Sequence, residues 1–118
     1  MRNFRNYDMW KTSLKLSTEI CQIVNKFPSY ERFGLSGQMR RASVSIVSNI
    51  AEGSSRSSEK DFAHFLQISL GSAYELETQL YIAQQLGYIT KEVLDKLLSE
   101  INSIERQVYE MIHRLTCK

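Results

Sequence analysis

The sequence predicts an all-α protein, an antiparallel four-helix bundle forming one domain over residues 1–118. Three observations carry that prediction. Apolar residues recur at alternating spacings of three and four along most of the chain, the period of helices that bury one face. No stretch shows the strict alternation of a half-buried strand. Proline, glycine and capping residues fall between the periodic segments and divide the chain into four.

The first helix is expected over residues 8–27. Trp10, Leu14, Cys21 and Val24 recur at helical spacing, Ile20, Ile23 and Phe27 widen the face, and Pro28 stops the helix. The second is expected over residues 35–51, between Gly34 and Gly53. Leu35, Met39, Ala42, Ile46 and Ile50 form its main stripe, and Gly53 reads as a left-handed glycine beyond its C-terminus. Ser43, Ser45 and Ser48 are small enough to let another backbone approach. Residues 54–58 form a loop. Ser58 is an N-cap for the third helix, with Asp61 in the first turn, where an acid suits the helix dipole.

The third helix runs to Leu86 and carries Phe62, Leu66, Ser69, Ala73, Leu76, Leu80 and Ala83 on one stripe; Gly87 ends it. Thr90 caps the fourth. There Leu94, Leu97, Ile101, Ile104, Val108, Met111 and Leu115 make an unbroken seam of the coiled-coil kind. The short connection at Gly87 makes the last two helices antiparallel neighbours.

Composition narrows the function classes. Hydrophobic residues make up 42% and charged residues 24%, the balance of a soluble globular domain whose core needs no disulfide or metal. Cys21 and Cys117 lie in no metal-ligand spacing and read as idle thiols. The polar, basic N-terminus lacks the apolar run of a secretory leader and no stretch is long enough to span a bilayer, so the expected location is cytoplasmic, with no membrane partner. Net charge is +2, less than a dedicated nucleic-acid binder usually carries. The basic residues offered for phosphate contacts with RNA or DNA are Arg2, Arg5, Lys11, Lys15 and Arg41.

Catalytic chemistry has little to stand on. Glu110-x-x-His113 and Asp61-x-x-His64 imitate the carboxylate–histidine pairs of di-metal bundles. At about 100° per residue, however, both histidines point away from their helices' apolar stripes. No nucleophile arrangement, phosphate loop or zinc spacing is present. The expectation is no enzyme, no metal and no cofactor.

Interior charge and surplus apolar surface say more. The apolar arc of the third helix spans roughly 240°, more than one bundle core uses. Glu77 falls inside it, while Arg40 shares a second apolar stripe of the second helix with Val44, Val47 and Ala51. A carboxylate and a guanidinium among apolar residues each need a partner or an outlet to water, so either each reaches a bundle edge or the two are expected to depend on each other, within one chain or across an interface. Asn49, at the rim of the main stripe, is expected to bond across helices or to a loop. Tyr74, Tyr81 and Tyr88 recur every seven residues along one edge of the third helix, and tyrosine suits interfaces. Together these predict a homo-oligomer.

Several segments together resemble a known family. They are Tyr7-Asp8-Met9-Trp10, Gly34-Leu35-Ser36-Gly37-Gln38-Met39-Arg40-Arg41-Ala42, Ser45-Ile46-Val47-Ser48-Asn49-Ile50-Ala51-Glu52-Gly53, Phe65-Leu66-Gln67-Ile68-Ser69-Leu70-Gly71-Ser72, Glu75-Leu76-Glu77-Thr78-Gln79-Leu80 and Leu86-Gly87-Tyr88-Ile89. The family is that of the small four-helix-bundle proteins encoded in intervening sequences of bacterial large-subunit (23S) ribosomal RNA genes. Its members commonly have proline where this chain has Val47. The resemblance implies a ring-like homopentamer and supplies no catalytic residues. The chain is also similar to accessory proteins of diversity-generating retroelements, which work beside a reverse transcriptase. The expected function is therefore a non-enzymatic, oligomeric binding or scaffold protein associated with RNA or a nucleoprotein. The alternative is an accessory subunit of a reverse transcriptase that contacts nucleic acid. A metal-dependent bundle enzyme is the rival that the histidine directions argue against.

Overall fold

The computed structural model describes residues 2–117. Four helices follow one another: α1 (Asp8–Val24), α2 (Leu35–Ser54), α3 (Glu59–Gln85) and α4 (Lys91–Thr116). Two single 3-10 turns precede α1 and α2, at Phe4–Asn6 and Ser29–Glu31. Each helix packs on the one before and the one after it, and α4 closes the square on α1. The molecule measures 46 × 23 × 20 Å, one bundle wide and little longer than α3 itself.

The helix ends follow the expected chemistry in most places. The Ser58 hydroxyl accepts from the Asp61 N–H at 3.0 Å, and the Thr90 hydroxyl from the Val93 N–H at 3.2 Å. At the other end of α3, the Tyr88 N–H reaches the Ala83 carbonyl and the Gly87 N–H that of Gln84. That is the paired bonding of a Schellman motif, and Gly87 supplies the left-handed residue it needs, with φ +79°. Glu31 caps α2 from the preceding turn, accepting from the Leu35 N–H at 3.2 Å.

Two expectations about helix limits need correction. Helix α1 ends at Val24 rather than Phe27, three residues before Phe27 turns in to the core. Gly53 is not a left-handed residue beyond α2. It lies inside the helix, where a Cβ would come within 2.7 Å of the Phe65 Cβ and 3.1 Å of the Phe62 ring. Glycine is needed there for close approach to α3.

The core holds every expected stripe residue of α3, from Phe62 to Ala83, and Leu94 through Val108 of α4. The last turn of α4 departs. Ile112 is buried, while Met111 and Leu115 only pack against the rim. A straight helix drifts against a strict seven-residue repeat by about 20° per heptad, and here the drift brings the next residue inward.

The larger correction concerns α1. Its buried side is Met9, Ser13, Leu16, Ser17, Ile20 and Val24. Leu14 is 44% exposed, and Trp10 and Cys21 are half-buried. Of the apolar face expected as core, Ile20, Val24 and Phe27 are buried, while Trp10, Leu14 and Cys21 lie toward the outer flank. Two serines take the inward positions because α1 and α2 approach closely there, with the Ser17 and Ser43 hydroxyls 3.3 Å apart.

Candidate interaction faces

The groups that could have carried chemistry are placed for structure. Ser54 and Ser55 donate to the Ala51 and Glu52 carbonyls at 2.6 and 2.7 Å, finishing α2. His64 and His113 are exposed, and His113 Nδ1 has only the Cys117 thiol, at 3.3 Å, beside it. Among the described residues no three histidines, cysteines or carboxylates are grouped as a metal site would need. No helix of the described residues is long and apolar enough to cross a membrane.

The five basic residues do not gather into one patch. Arg2 is used inside the fold: it donates to the Ser54 and Arg56 carbonyls and sits 4.7 Å over the Phe62 ring. Arg5 is exposed and lies 4.5 Å over Phe4. Lys15 is paired with Glu100 at 3.4 Å. Lys11 and Arg41 are exposed, on different helices, and Arg41 lines a shallow polar groove with Gln38, Ser45, Ser72 and Glu75.

Four seams join the helices, and each has its own character. The α1–α4 seam is ionic. Glu19 takes a 2.7 Å bond from Lys96, Lys15 bonds Glu100, and the two carboxyls stand side by side. Burial works against ionised Glu19, but Lys96 and the neighbouring Glu100 hold its carboxyl below the usual range. Burial and the neighbouring Glu19 raise the Glu100 carboxyl above it. The α2–α3 seam is built of small polar groups. Ser45 and Ser72 meet at 2.8 Å, and Ser69 donates to the Ile46 carbonyl at 2.8 Å. Asn49 bonds back one turn to the Ser45 carbonyl and hydroxyl, at 2.8 and 3.0 Å. It therefore reaches α3 only through Ser45, not by the direct cross-helix bond expected.

The other two seams are apolar on the outside. On the α1–α2 flank, residues three or four from Ser17 and Ser43 share their side of the helix. These are Leu14 and Cys21 on α1, and Arg40 and Val47 on α2, with Ala51 one turn further on. Val44 stands beside them, 44% exposed. The α3–α4 flank is organised in the same way around Glu77 and Glu105, whose carboxyls stand beside each other. Tyr74 and Tyr81 lie three before and four after Glu77, and Tyr109 lies four after Glu105. These tyrosines are 55%, 47% and 61% exposed.

Within the chain Arg40 and Glu77 do not meet. The Arg40 guanidinium donates to the Asn25 side-chain oxygen at 3.3 Å, on the α1 side. Glu77 faces α4 and Glu105. Burial, and then the neighbouring Glu77, push the Glu105 carboxyl up to about 8. No cation among the described residues is paired with either. Tyr88 also leaves the expected tyrosine edge. Its hydroxyl donates to Glu31 at 2.8 Å and its ring packs 5.0 Å from Phe27, tying the end of α3 to the α1–α2 connection. Hydrogen bonds to Tyr30 and Glu31 raise its hydroxyl well above the usual phenol range.

Sequence reasoning passed over Glu105, Tyr109 and the outer flank of α1. Glu105 adjoins the seam residue Ile104, and its relation to Tyr109 at i+4 is the one signal that marked a second face on α4.

Residues 5–110 match the model of one protein family, described as 23S rRNA-intervening sequence protein. The chain is also similar to the crystal structure of a protein of unknown function from the S23 ribosomal protein family of Bacteroides thetaiotaomicron VPI-5482. The two are 27% identical, with a TM-score of 0.82, over 88% of this chain and 94% of that one. No curated protein matches the sequence.

Proposed function

Because the chain belongs to the family of 23S rRNA-intervening sequence proteins, we propose that it is a non-enzymatic scaffold that assembles with copies of itself, in a closed ring of five, and presents a repeated surface to nucleic acid or a nucleoprotein. The observation that carries this reading is the pair of uncovered apolar flanks. Leu14, Val44 and their neighbours occupy one edge of the bundle, and Tyr74, Tyr81 and Tyr109 occupy the opposite edge. A monomer gains nothing from holding such side chains in water, and contiguous apolar surface rimmed by polar groups marks association. The flanks differ in chemistry, so one copy's α1–α2 flank would meet the next copy's α3–α4 flank. Such a head-to-tail contact repeats into a ring when its rotation closes. The pentameric form rests on the resemblance to the family.

Light scattering at low micromolar concentration tests the reading. The expected mass is five times 13.7 kDa. Tyr81→Glu and Val47→Glu, one on each flank, should each dissociate the assembly and leave helicity intact. A wild-type chain that stays monomeric across the concentration range overturns the proposal, and a stable dimer overturns the ring.

A further inference from the structure

Two pairs of neighbouring glutamates stand among the described residues, and they differ in one respect. Glu19 and Glu100, on the α1–α4 seam, are flanked by Lys96 and Lys15. Glu77 and Glu105, on the α3–α4 seam, have no cation among the described residues paired with them. Both members of the second pair are half-buried, between tyrosines on an otherwise apolar flank. A carboxyl pair in such a place is costly unless a cation offsets it. On the opposite flank the complementary shortage occurs. Arg40 is half-buried, its guanidinium makes an exposed bond to the neutral side-chain oxygen of Asn25, and no carboxylate among the described residues is paired with it.

The register of the bundle places these two sites at one height. Ser45 on α2 and Ser72 on α3 are in contact at 2.8 Å. The helices run antiparallel, so five residues back on α2, at Arg40, is level with five residues on along α3, at Glu77. The same count sets Val44 level with Tyr74, within about one residue's rise. Rotation about a ring axis parallel to the bundle leaves height unchanged. Groups that meet across such a ring contact must therefore share a height and face opposite ways, as these do.

We infer that Arg40 of one copy seats on the Glu77–Glu105 pair of the next, and that this contact fixes the register of self-association. This rests on the self-assembly proposed above and adds its recognition chemistry. A guanidinium presents a planar fork of donors and stays charged on leaving water, so it suits a pair of carboxyls that shares one proton. Asn25, which already holds the Arg40 head, positions it. The tyrosine and valine rims then exclude water from the pair, which strengthens the attraction.

The test is a charge exchange read by light scattering and analytical ultracentrifugation, with circular dichroism to verify folding. Arg40→Glu and Glu77→Lys should each raise the concentration needed for assembly by at least tenfold, because each sets like charges against one another. The double variant, Arg40→Glu with Glu77→Lys, should recover assembly to within a few-fold of wild type. If either single variant unfolds, Arg40→Met and Glu77→Gln replace them, and their combined effect should be smaller than the sum of the two. Single variants that assemble as wild type does, or a double variant no better than the worse single, overturn the inference while leaving self-assembly standing. A monomeric wild type overturns the assembly itself, and this contact with it.

Discussion

Two half-buried carboxyls can share an apolar flank only if one keeps its proton, and Glu105 is the one that does. Its carboxyl titrates near 8 because burial disfavours the charge and Glu77 stands beside it. A folded-state pKa above the unfolded value means that the fold favours the protonated group. The stability gained is full below pH ~4.5 and is lost as pH rises through about 8. Measured on protein dilute enough to be dissociated, the melting temperature should therefore decline between about pH 5 and 8. Glu105→Gln is neutral at every pH and removes the titration, so its profile should be flatter across that range. A variant whose melting temperature falls as steeply as wild type would place the titrating group elsewhere. Glycine shows the same dependence on surroundings. Gly87 is required by its φ of +79°, but Gly53, read from the sequence for the same purpose, is required by the nearness of Phe65. Sequence shows that glycine is present, and only packing shows which of its two properties is in use.

At the scale of the elements, legibility followed how much of each helix is buried and by what. Helices α3 and α4 bury large aliphatic residues at regular spacing, and their stripes were legible almost to the last turn. Helix α1 was misread because its inward positions include Ser13 and Ser17, while Trp10, Leu14 and Cys21 on the outer flank present a better apolar period. An amphipathic pattern finds the apolar side of a helix, and in an assembling protein that side need not be the monomer's core. The surplus arc of α3 was legible as more surface than one core uses, but the exposed flank on α1 was hidden inside the expected stripe. The two leucines of α1 separate these readings. Leu16 is fully buried, so Leu16→Ala should cost about 2–5 kcal/mol in chemical denaturation. Leu14→Ser, 44% exposed, should cost the dissociated bundle under ~1 kcal/mol and weaken assembly instead. Equal destabilisation by both would return Leu14 to the core.

For the whole molecule, the question is how a mildly basic chain with scattered cations could hold nucleic acid at all. One copy has a net charge of +2, Arg2 is turned inward and Lys15 is neutralised by Glu100. Of the five residues expected at phosphates, the exposed remainder, Arg5, Lys11 and Arg41, is too sparse for a monomer to compete with salt. A ring changes this by repetition: five copies at +2 sum to +10, with each exposed cation repeated at one height around the axis. Binding by this route reads phosphates and not bases, so RNA and DNA of different sequence should bind alike. One phosphate contact per copy gives five, and counterion release then sets a steep salt slope. Affinity should fall by roughly two orders of magnitude from ~50 to ~200 mM salt. Arg41→Gln, which touches neither apolar flank, should lower the slope while the mass by light scattering stays unchanged. Because the field belongs to the assembly, Tyr81→Glu should remove binding together with assembly even though it removes no positive charge. Salt-insensitive affinity, preference for one sequence, or full binding by the dissociated Tyr81→Glu chain would each show that nucleic acid is held by some other means than the summed charge of a ring.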